Sequence, residues 1–554
     1  MHNNQDRLNI ALQYHKAGNI QEAETIYSQI LQDDPENHMS LYFSGIIAYQ
    51  YGNYDKATDL IYKAFIINPS FDYCRDLGDI YLESNNLDKA VEFYSKALNF
   101  DTQSFEVLNL LGKAYHKLNR FNESSNCFEK VLQLKPDYEA GYFNLGNLFK
   151  EINMPDGAKN CYLQAIKLKP DYIDAYFNLG QILKDQCNYI DAESCFRKVL
   201  EAEPDNAIAS YNLGETLENV GKYDEAVSCY QKVIYMLPNF PHSYFRLGQI
   251  HLIREDFDRG WEYYEYRLKM RKPEHRVIFP KPIWDGSSLK NKTIYVHNEM
   301  GLGDSIMMAR YLPVLNSMGA KVLCKPQKEL EQLFKENDLK AEIIDNSTQD
   351  DSINFDTYIQ FMSLPGKFKT NLENIPNSKG YLKANPEKVE YYRKNYFNNN
   401  NFKVGLVWHC KNHYPEDSFR SFAHISLFYD IARLQNIKLY SLQKGDGVEQ
   451  LDNLPEDIEI INLGSTFNDF SDTAAAIENL DLLISIDTSV PHLAGAMGKP
   501  TWLLLSDIKD WKWFLKNEDC LWYDSVKLFR QKELGNWEEV MDTVYNSLND
   551  LINR

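Results

Sequence analysis

A 34-residue period runs through the first half of the chain and narrows its possible folds more than any other feature. The octets "YFNLGNLF" (142–149), "YFNLGQIL" (176–183) and "SYNLGETL" (210–217) stand one period apart. Each is followed by a small residue (Ala158, Ala192, Ala226), an aromatic four places on (Tyr162, Phe196, Tyr230) and a proline (Pro170, Pro204, Pro238). Aligned on the glycine, the register runs through Ala11, Gly45, Gly78, Gly112, Gly146, Gly180, Gly214 and Gly248, about eight repeats, with only the step from Gly45 to Gly78 one residue short. The unit is a helical hairpin that cannot bury its apolar face alone. Small residues let its two helices approach, aromatics fill the groove between hairpins, and proline ends the second helix. Stacked hairpins then build a superhelix with a concave face.

Leu-Gly, aromatic, Ala, aromatic and Pro in this order make the tetratricopeptide pattern. Asn144, Asn178 and Asn212 share one place in it, two residues before the glycine, where Phe43, Asp76, Leu110 and Arg246 depart from the rule. An amide offers both donor and acceptor, so stacked amides can hold the main chain of an extended polypeptide without reading its sequence. The three asparagines resemble the asparagine ladder of the O-linked N-acetylglucosamine transferases, which implies a polypeptide acceptor on the concave face. The plainer reading is a solvated consensus residue.

Charge and cysteine use bound the rest. A net charge of −20 offers no broad basic face to phosphates, which argues against nucleic acid and anionic membranes as partners. No basic-then-apolar leader opens the chain and no apolar run reaches membrane-spanning length, so a cytoplasmic protein without membrane insertion is expected. Cys127, Cys161, Cys195 and Cys229 are also 34 residues apart, occupying one repeat position, and read as small buried hydrophobes.

The periodicity changes after "DFDRGWEYYEYRLKMRKP" (256–273), where Gly260 replaces the usual alanine and prolines recur at Pro273, Pro280 and Pro282. Short β-rich runs (Thr293–Val296, Lys321–Cys324, Ala341–Ile344, Thr357–Ile359) then alternate with helical stretches (Asp304–Ser317, Glu329–Asn337). A second series follows the Asn-rich "YFNNNNF" (396–402), with strands expected at 403–409, 437–443, 457–463, 481–487 and 500–505. Strands alternating with helices imply parallel sheets, and two such series imply two α/β domains facing a cleft. The expected division is a repeat array over 1–272, an acceptor-side domain over 273–395 and a nucleotide-sugar-binding domain over 396–554. The fold class is therefore α + α/β, an all-α superhelix followed by two Rossmann-like domains.

In such sheets ligands bind beyond the carboxyl ends of the strands. Asp487 closes one strand; Thr488 and Ser489 can cap, Pro491 suits a first helical turn, and a helix from His492 would aim its amino end into the cleft as an anion site. Asp487 would repel a phosphate and more reasonably accepts a sugar hydroxyl. Arg420, on the loop after "VGLVWH", can balance a diphosphate. Gln443 and Lys444 end the next strand, where they can meet a base or ribose or be plain surface. His409, Cys410 and His413 lack further ligands close by, and the sole Asp-x-Asp, Asp256–Asp258, lies in the repeats, so no metal is expected. Trp511, Trp513, Trp522 and Tyr523 read as core in preference to an acceptor groove. Asp304 follows the Gly301-x-Gly303 turn, where it can cap a helix or act as a base; the two glycines would let a substrate come close.

"GLGDSIMMARYLP", "VGLVWH…RSF", "DTAAAI" (472–477), "ISIDTSVPHLAGAMGKPTWLLL", "DWKWFL" (510–515), "WY" (522–523) and "LFRQ" (528–531) occur in order across 290–531. Together they resemble the heptosyltransferase-related glycosyltransferases, and more closely the bacterial tetratricopeptide proteins that end in such a domain. The resemblance implies a GT-B fold and an inverting enzyme that uses a nucleotide sugar without a catalytic metal or other cofactor. It implies Asp304 as general base, and Asp487, Thr488 and His492 as the donor signature. Arg420 matches only the repeat-fused members, since heptosyltransferases proper carry a lysine in this region. Flagellin is an acceptor setting that the resemblance brings with it. Three readings follow: a protein O-glycosyltransferase; the same enzyme acting on a glycan or lipid-linked saccharide; and a non-catalytic scaffold. Repeat arrays dimerise readily through convex faces, so a homo-oligomer fits all three.

Overall fold

The structure is a computed structural model and describes residues 2–270, 279–411, 417–515 and 519–553. The chain divides into two compact units, Met1–Lys184 with Ile190–Pro204, and Asp185–Tyr189 with Asp205–Arg554. The division falls within the repeats, and the last two hairpins belong to the unit that holds the sheets.

Seventeen helices among the described residues run from His2–Lys16 to Arg267–Met270; the first sixteen, to Phe257–Tyr264, pair into antiparallel hairpins. The packing explains the period. A side-chain carbon added at Gly78 would lie 2.5 Å from the ring of Tyr94, one at Gly112 2.6 Å from Phe128, and one at Gly146 2.8 Å from Tyr162. The repeat glycine therefore makes room for the aromatic of its own hairpin partner, which is buried. Cys127, Cys161 and Cys195 are buried, and burial pushes the thiols of the first two up to about 11 and the third to about 12. They fill space as small hydrophobes.

In the second unit, helices Ala207–Asn219, Tyr223–Met236, Pro241–Ile253 and Phe257–Tyr264 lead to two all-parallel sheets. The first has the order β3-β2-β1-β4, with β1 Thr293–His297, β2 Lys321–Lys325, β3 Glu342–Ile343 and β4 Thr357–Gln360. The second has the order β10-β9-β8-β5-β6-β7, built from β5 Phe402–Val407, β6 Ile437–Ser441, β7 Ile460–Asn462, β8 Leu482–Ile486, β9 Thr501–Leu505 and β10 Val526–Arg530. Every residue of β8 is buried, as expected for a central parallel strand covered on both faces. The carboxy-terminal helix Glu538–Ile552 lays Val540, Met541, Val544 and Leu548 into the core of this second sheet.

Two local expectations change. The helix expected over Asp304–Ser317 is broken into Leu302–Met308, a 3-10 turn Ala309–Tyr311 and Leu312–Ser317. Pro313 has no amide to give to the ladder, and its ring would meet the carbonyl of Ala309 in a continuous helix. Strand β10 and the helices Pro386–Tyr396 and Glu538–Ile552 are additions to the elements expected from sequence.

Helix Leu302–Met308 of the first lobe packs against helix Ser489–Ala496 of the second, and Arg310 ties the lobes together. Its buried guanidinium donates to the carbonyls of Met307 and Trp522 (2.8 and 2.9 Å) and lies 5.0 Å from the ring of Tyr381 and 4.8 Å from that of Tyr523.

Candidate functional site

Each sheet has one place where successive crossovers diverge. In the first it lies between β1 and β4, in the second between β8 and β5. A crevice opens at the carboxyl ends of the strands at such a point. Here the two crevices meet in one cleft of about 840 Å³, lined from the first lobe by Met300–Asp304 and from the second by Arg420, Asp487–Val490, His492 and Lys512.

Asp304 is the third residue of its helix, and its Oδ2 accepts the Gly301 amide at 3.0 Å. The capping role is thus realised, with the carboxylate reaching back over the first turn. Its other oxygen lies 3.6 Å from the Lys512 ammonium. Gly303 serves a different purpose from the one expected. A side-chain carbon there would lie 2.6 Å from Cδ2 of His492, so this glycine lets the two helices touch. Gly301 has φ −69°, an ordinary backbone conformation.

Arg420 and Asp487 form a pair across the β5/β8 crevice. Nη2 of Arg420 donates to Oδ2 of Asp487 at 2.8 Å and to its carbonyl at 3.0 Å. Burial alone would raise the Asp487 pKa, but Arg420, then Lys512 and His492, hold it below the ordinary carboxylate value. Where the sequence suggested a sugar hydroxyl for Asp487 and a phosphate for Arg420, the structure sets the two charges against each other at the cleft. A buried carboxylate finds its counter-ion inside the protein when one is within reach.

The helix expected from His492 begins three residues earlier, at Ser489. Thr488 is its N-cap, with Oγ1 accepting the Val490 amide at 3.3 Å, and Pro491 has no amide. The amino end is therefore poorer in available donors than the sequence suggests, although its dipole still faces the cleft. His492 is buried, with Nδ1 3.2 Å from the Tyr523 hydroxyl and its ring stacked on Trp513 at 4.9 Å. Burial lowers its pKa to about 4, against the pull of Asp487, so the imidazole is neutral at pH 7. Trp511, Trp513, Trp522 and Tyr523 are all buried.

Gln443, expected to meet a base or ribose, lines the cleft with its side chain already bonded. Its Oε1 accepts the amides of Trp408 and His409, both at 3.1 Å, and its Nε2 donates to the carbonyls of His409 and Asp446, both at 2.9 Å. Three of these bonds hold the loops after β5 and β6 together, and the one to Asp446 closes the second loop on itself. The Lys444 ammonium donates to the Phe467 carbonyl. His409 Nδ1 lies 2.8 Å from the Cys410 carbonyl, while His413 is outside the described residues. Among the described residues no group of three or more His, Cys, Asp or Glu side chains could hold a metal ion.

The asparagines expected to grip a peptide make bonds within the repeats. Asn144 Nδ2 donates to Asn109 Oδ1 at 2.8 Å, Asn178 Nδ2 to Asn147 Oδ1 at 3.0 Å, and Asn212 Nδ2 to the Ile208 carbonyl at 2.9 Å. Asn144 and Asn212 are buried. Their donors bind within the repeats, and neither of these two buried amides presents the open grip expected of a ladder.

Lys512 is the residue that the sequence reading missed. It lies in the one-turn 3-10 helix Trp511–Trp513 after β9, with Nζ 2.9 Å from Asp510 Oδ2. Burial would lower its pKa, but Asp510, Asp304 and Asp487 raise it above the usual lysine value and keep it charged. A lysine between two tryptophans in "DWKWF" was the available signal, because flanking aromatics that bury draw the lysine inward with them.

Comparison with known proteins bears on the first half of the chain. Models described as TPR repeat match residues 78–119, 112–153 and 156–186; models described as tetratricopeptide repeat match 8–73, 173–206 and 207–240. Protein FlbA of Caulobacter vibrioides is 26% identical over 316 residues, covering 52% of this chain and 52% of that protein. The chain therefore spans about half the length of this curated relative. The crystal structure of MamA is 26% identical and covers 30% of this chain and 91% of its own, with a TM-score of 0.29. That of YrrB, titled a TPR protein with an unusual peptide-binding site, is 24% identical over 34% of this chain and 96% of its own, at a TM-score of 0.31. The amino-terminal part of this chain is a tetratricopeptide-repeat array, an architecture whose stacked hairpins offer extended surfaces for binding other proteins.

Proposed function

We propose that the two parallel lobes form a GT-B glycosyltransferase, which moves a sugar from a nucleotide sugar to a polypeptide captured by the repeats. The observation that carries this reading is the meeting of both crevices in one cleft. A two-substrate transfer needs one lobe for the acceptor and one for the donor, with the reacting atoms at the seam. Asp304 enters from the first lobe and the Arg420–Asp487 pair from the second.

In the proposed reaction the acceptor hydroxyl attacks the anomeric carbon from the Asp304 side. Asp304 accepts its proton through the oxygen facing the cleft, while Oδ2 stays on the Gly301 amide and fixes the carboxylate's direction. The nucleoside diphosphate leaves toward the second lobe. There the dipole of helix Ser489–Ala496 favours negative charge. Transfer by opposite-face attack inverts the anomeric centre.

The test is a thermal-melt panel with free UDP, GDP, ADP, TDP, CDP and CMP on the wild type and on Asp487→Ala. A ligand at a hundred times its dissociation constant adds about 2.7 kcal/mol to the unit that binds it. A nucleotide that raises the wild-type melt and not the variant's supports the donor site. No response to any of them leaves the repeats as the working part of the protein and removes the enzyme reading.

A further inference from the structure

Resting on the glycosyltransferase reading, we propose that Lys512 is a further catalytic residue of this cleft. Its ammonium turns from Asp304 to the diphosphate oxygen that the sugar leaves, stabilising the leaving group and releasing the base in one movement.

The geometry sets Lys512 apart from Arg420, Lys444 and Lys411, which also line the cleft; Lys411 is exposed on the loop after β5. Nη2 of Arg420 is bonded twice to Asp487, and the Lys444 ammonium to the Phe467 carbonyl. Lys512 approaches carboxylates from both lobes, Asp304 from the first and Asp510 from the second. Its distance to Asp304 is 3.6 Å, beyond a hydrogen bond, so leaving that carboxylate breaks an electrostatic contact only; its 2.9 Å contact is with Asp510, two residues away in its own lobe. The backbone that carries it is clamped on both sides. Trp511 packs edge-on against Trp261 at 5.3 Å and Tyr264 at 5.5 Å, and Trp513 stacks on His492. The four-methylene stem is therefore the part that moves, over a fixed anchor. Only 17% of the side chain is exposed, so the charge is already stripped of most of its water before any substrate binds. A cation preorganised in this way loses little hydration when it meets a developing anion.

The step balances with Lys512 protonated throughout. The acceptor O–H loses its proton to Asp304, the acceptor oxygen bonds to the anomeric carbon, and the bond from that carbon to the diphosphate oxygen breaks with its electron pair on the diphosphate. Lys512 transfers no proton and meets the new negative charge with its own positive one. Trp261 and Tyr264 belong to the last repeat hairpin, so that hairpin helps to position a group at the reacting end of the donor.

The experiment is calorimetric titration of the full chain with the best-binding nucleoside diphosphate and with its parent nucleoside, for wild type, Lys512→Met and Lys512→Arg. Loss of one charge-assisted phosphate contact in Lys512→Met should weaken the diphosphate about 10- to 100-fold and leave the nucleoside within about twofold. Lys512→Arg, which keeps the charge among the three carboxylates, should retain most of the diphosphate affinity and guards against a variant that merely fails to fold. Equal weakening of both ligands in Lys512→Met, or unchanged diphosphate affinity, overturns the proposal. If the wild type binds a diphosphate and Asp487→Ala loses it while Lys512→Met does not, the lysine's role alone fails. If the wild type binds none, the glycosyltransferase reading fails and takes this one with it.

Discussion

Arg267 should be a principal polar tie between the last repeat hairpin and the cleft. Arg267, buried just past helix Phe257–Tyr264, donates to Glu299 Oε1 and Glu265 Oε1, both at 2.6 Å, and to Ser363 Oγ at 2.7 Å. Glu299 precedes the Gly301–Asp304 turn by two residues, and its side chain is 3% exposed. Replacing Arg267 by Met keeps much of the volume and leaves Glu299 buried without this counter-charge. Breaking a buried pair from one side costs about 3–5 kcal/mol. Glu299→Gln keeps the shape and weakens one charge-assisted bond, at about 1–2 kcal/mol. Because the two residues share one contact, the double variant should cost less than the sum of the singles by more than about 1 kcal/mol. All eight tryptophans lie at position 261 or beyond, so urea unfolding followed by tryptophan fluorescence reports on the second unit alone. An Arg267→Met variant within about 1 kcal/mol of wild type, or strictly additive effects, would show that water or other groups satisfy Glu299 and that the hairpin does not hold the turn.

Two further outcomes follow from the cleft. His492 is held neutral, with its pKa lowered from 6.5 to about 4, so its contribution to stability is complete above pH 6.5 and is lost as pH falls toward 4. That gap is worth about 3 kcal/mol; the wild type should lose more stability than His492→Gln between pH 7 and pH 4.5, and equal losses in urea titrations would remove the argument. At Gly464 a side-chain carbon would lie 1.8 Å from the Gln443 carbonyl oxygen, a backbone atom with no rotamer to escape into. Gly464→Ala should therefore lower the stability of the second unit by about 2 kcal/mol or more, whereas an unchanged urea midpoint would mean that the loops after β6 and β7 move apart freely.

What could be read from the sequence divides along the range of the interactions. The repeats were legible because Gly146 and Tyr162 meet within one hairpin, sixteen residues apart in the chain, and the same contact recurs at Gly112 and Gly78. The central strands were legible because parallel strands buried on both faces become apolar runs, as "LLISI" does. Strand β10 escaped because it lies at the edge of its sheet, next to β9, and carries Lys527 and Arg530 within "VKLFR", which breaks the run. Residue type at the site was also legible: Asp304, Arg420 and Asp487 do line the cleft. Their pairing was not.

Arg420 and Asp487 are 67 residues apart, and the motif that suggested a phosphate for one and a sugar for the other has no term for the bond between them. The asparagines carry bonds of the same unforeseen kind. An amide able to grip a peptide is equally able to grip the next helix, and Asn109 and Asn147 stand within reach of Asn144 and Asn178. Polar groups in a folded chain are satisfied first by what folding brings beside them, so a side chain that suits a ligand is often already bonded. Lys512 is informative on the same ground. Its charge is balanced by carboxylates, yet one of those contacts is too long for a hydrogen bond and crosses the seam between the lobes. A group held loosely across a seam can change partners when a substrate enters, and the tightly bonded Gln443 cannot do so without loss of its four hydrogen bonds.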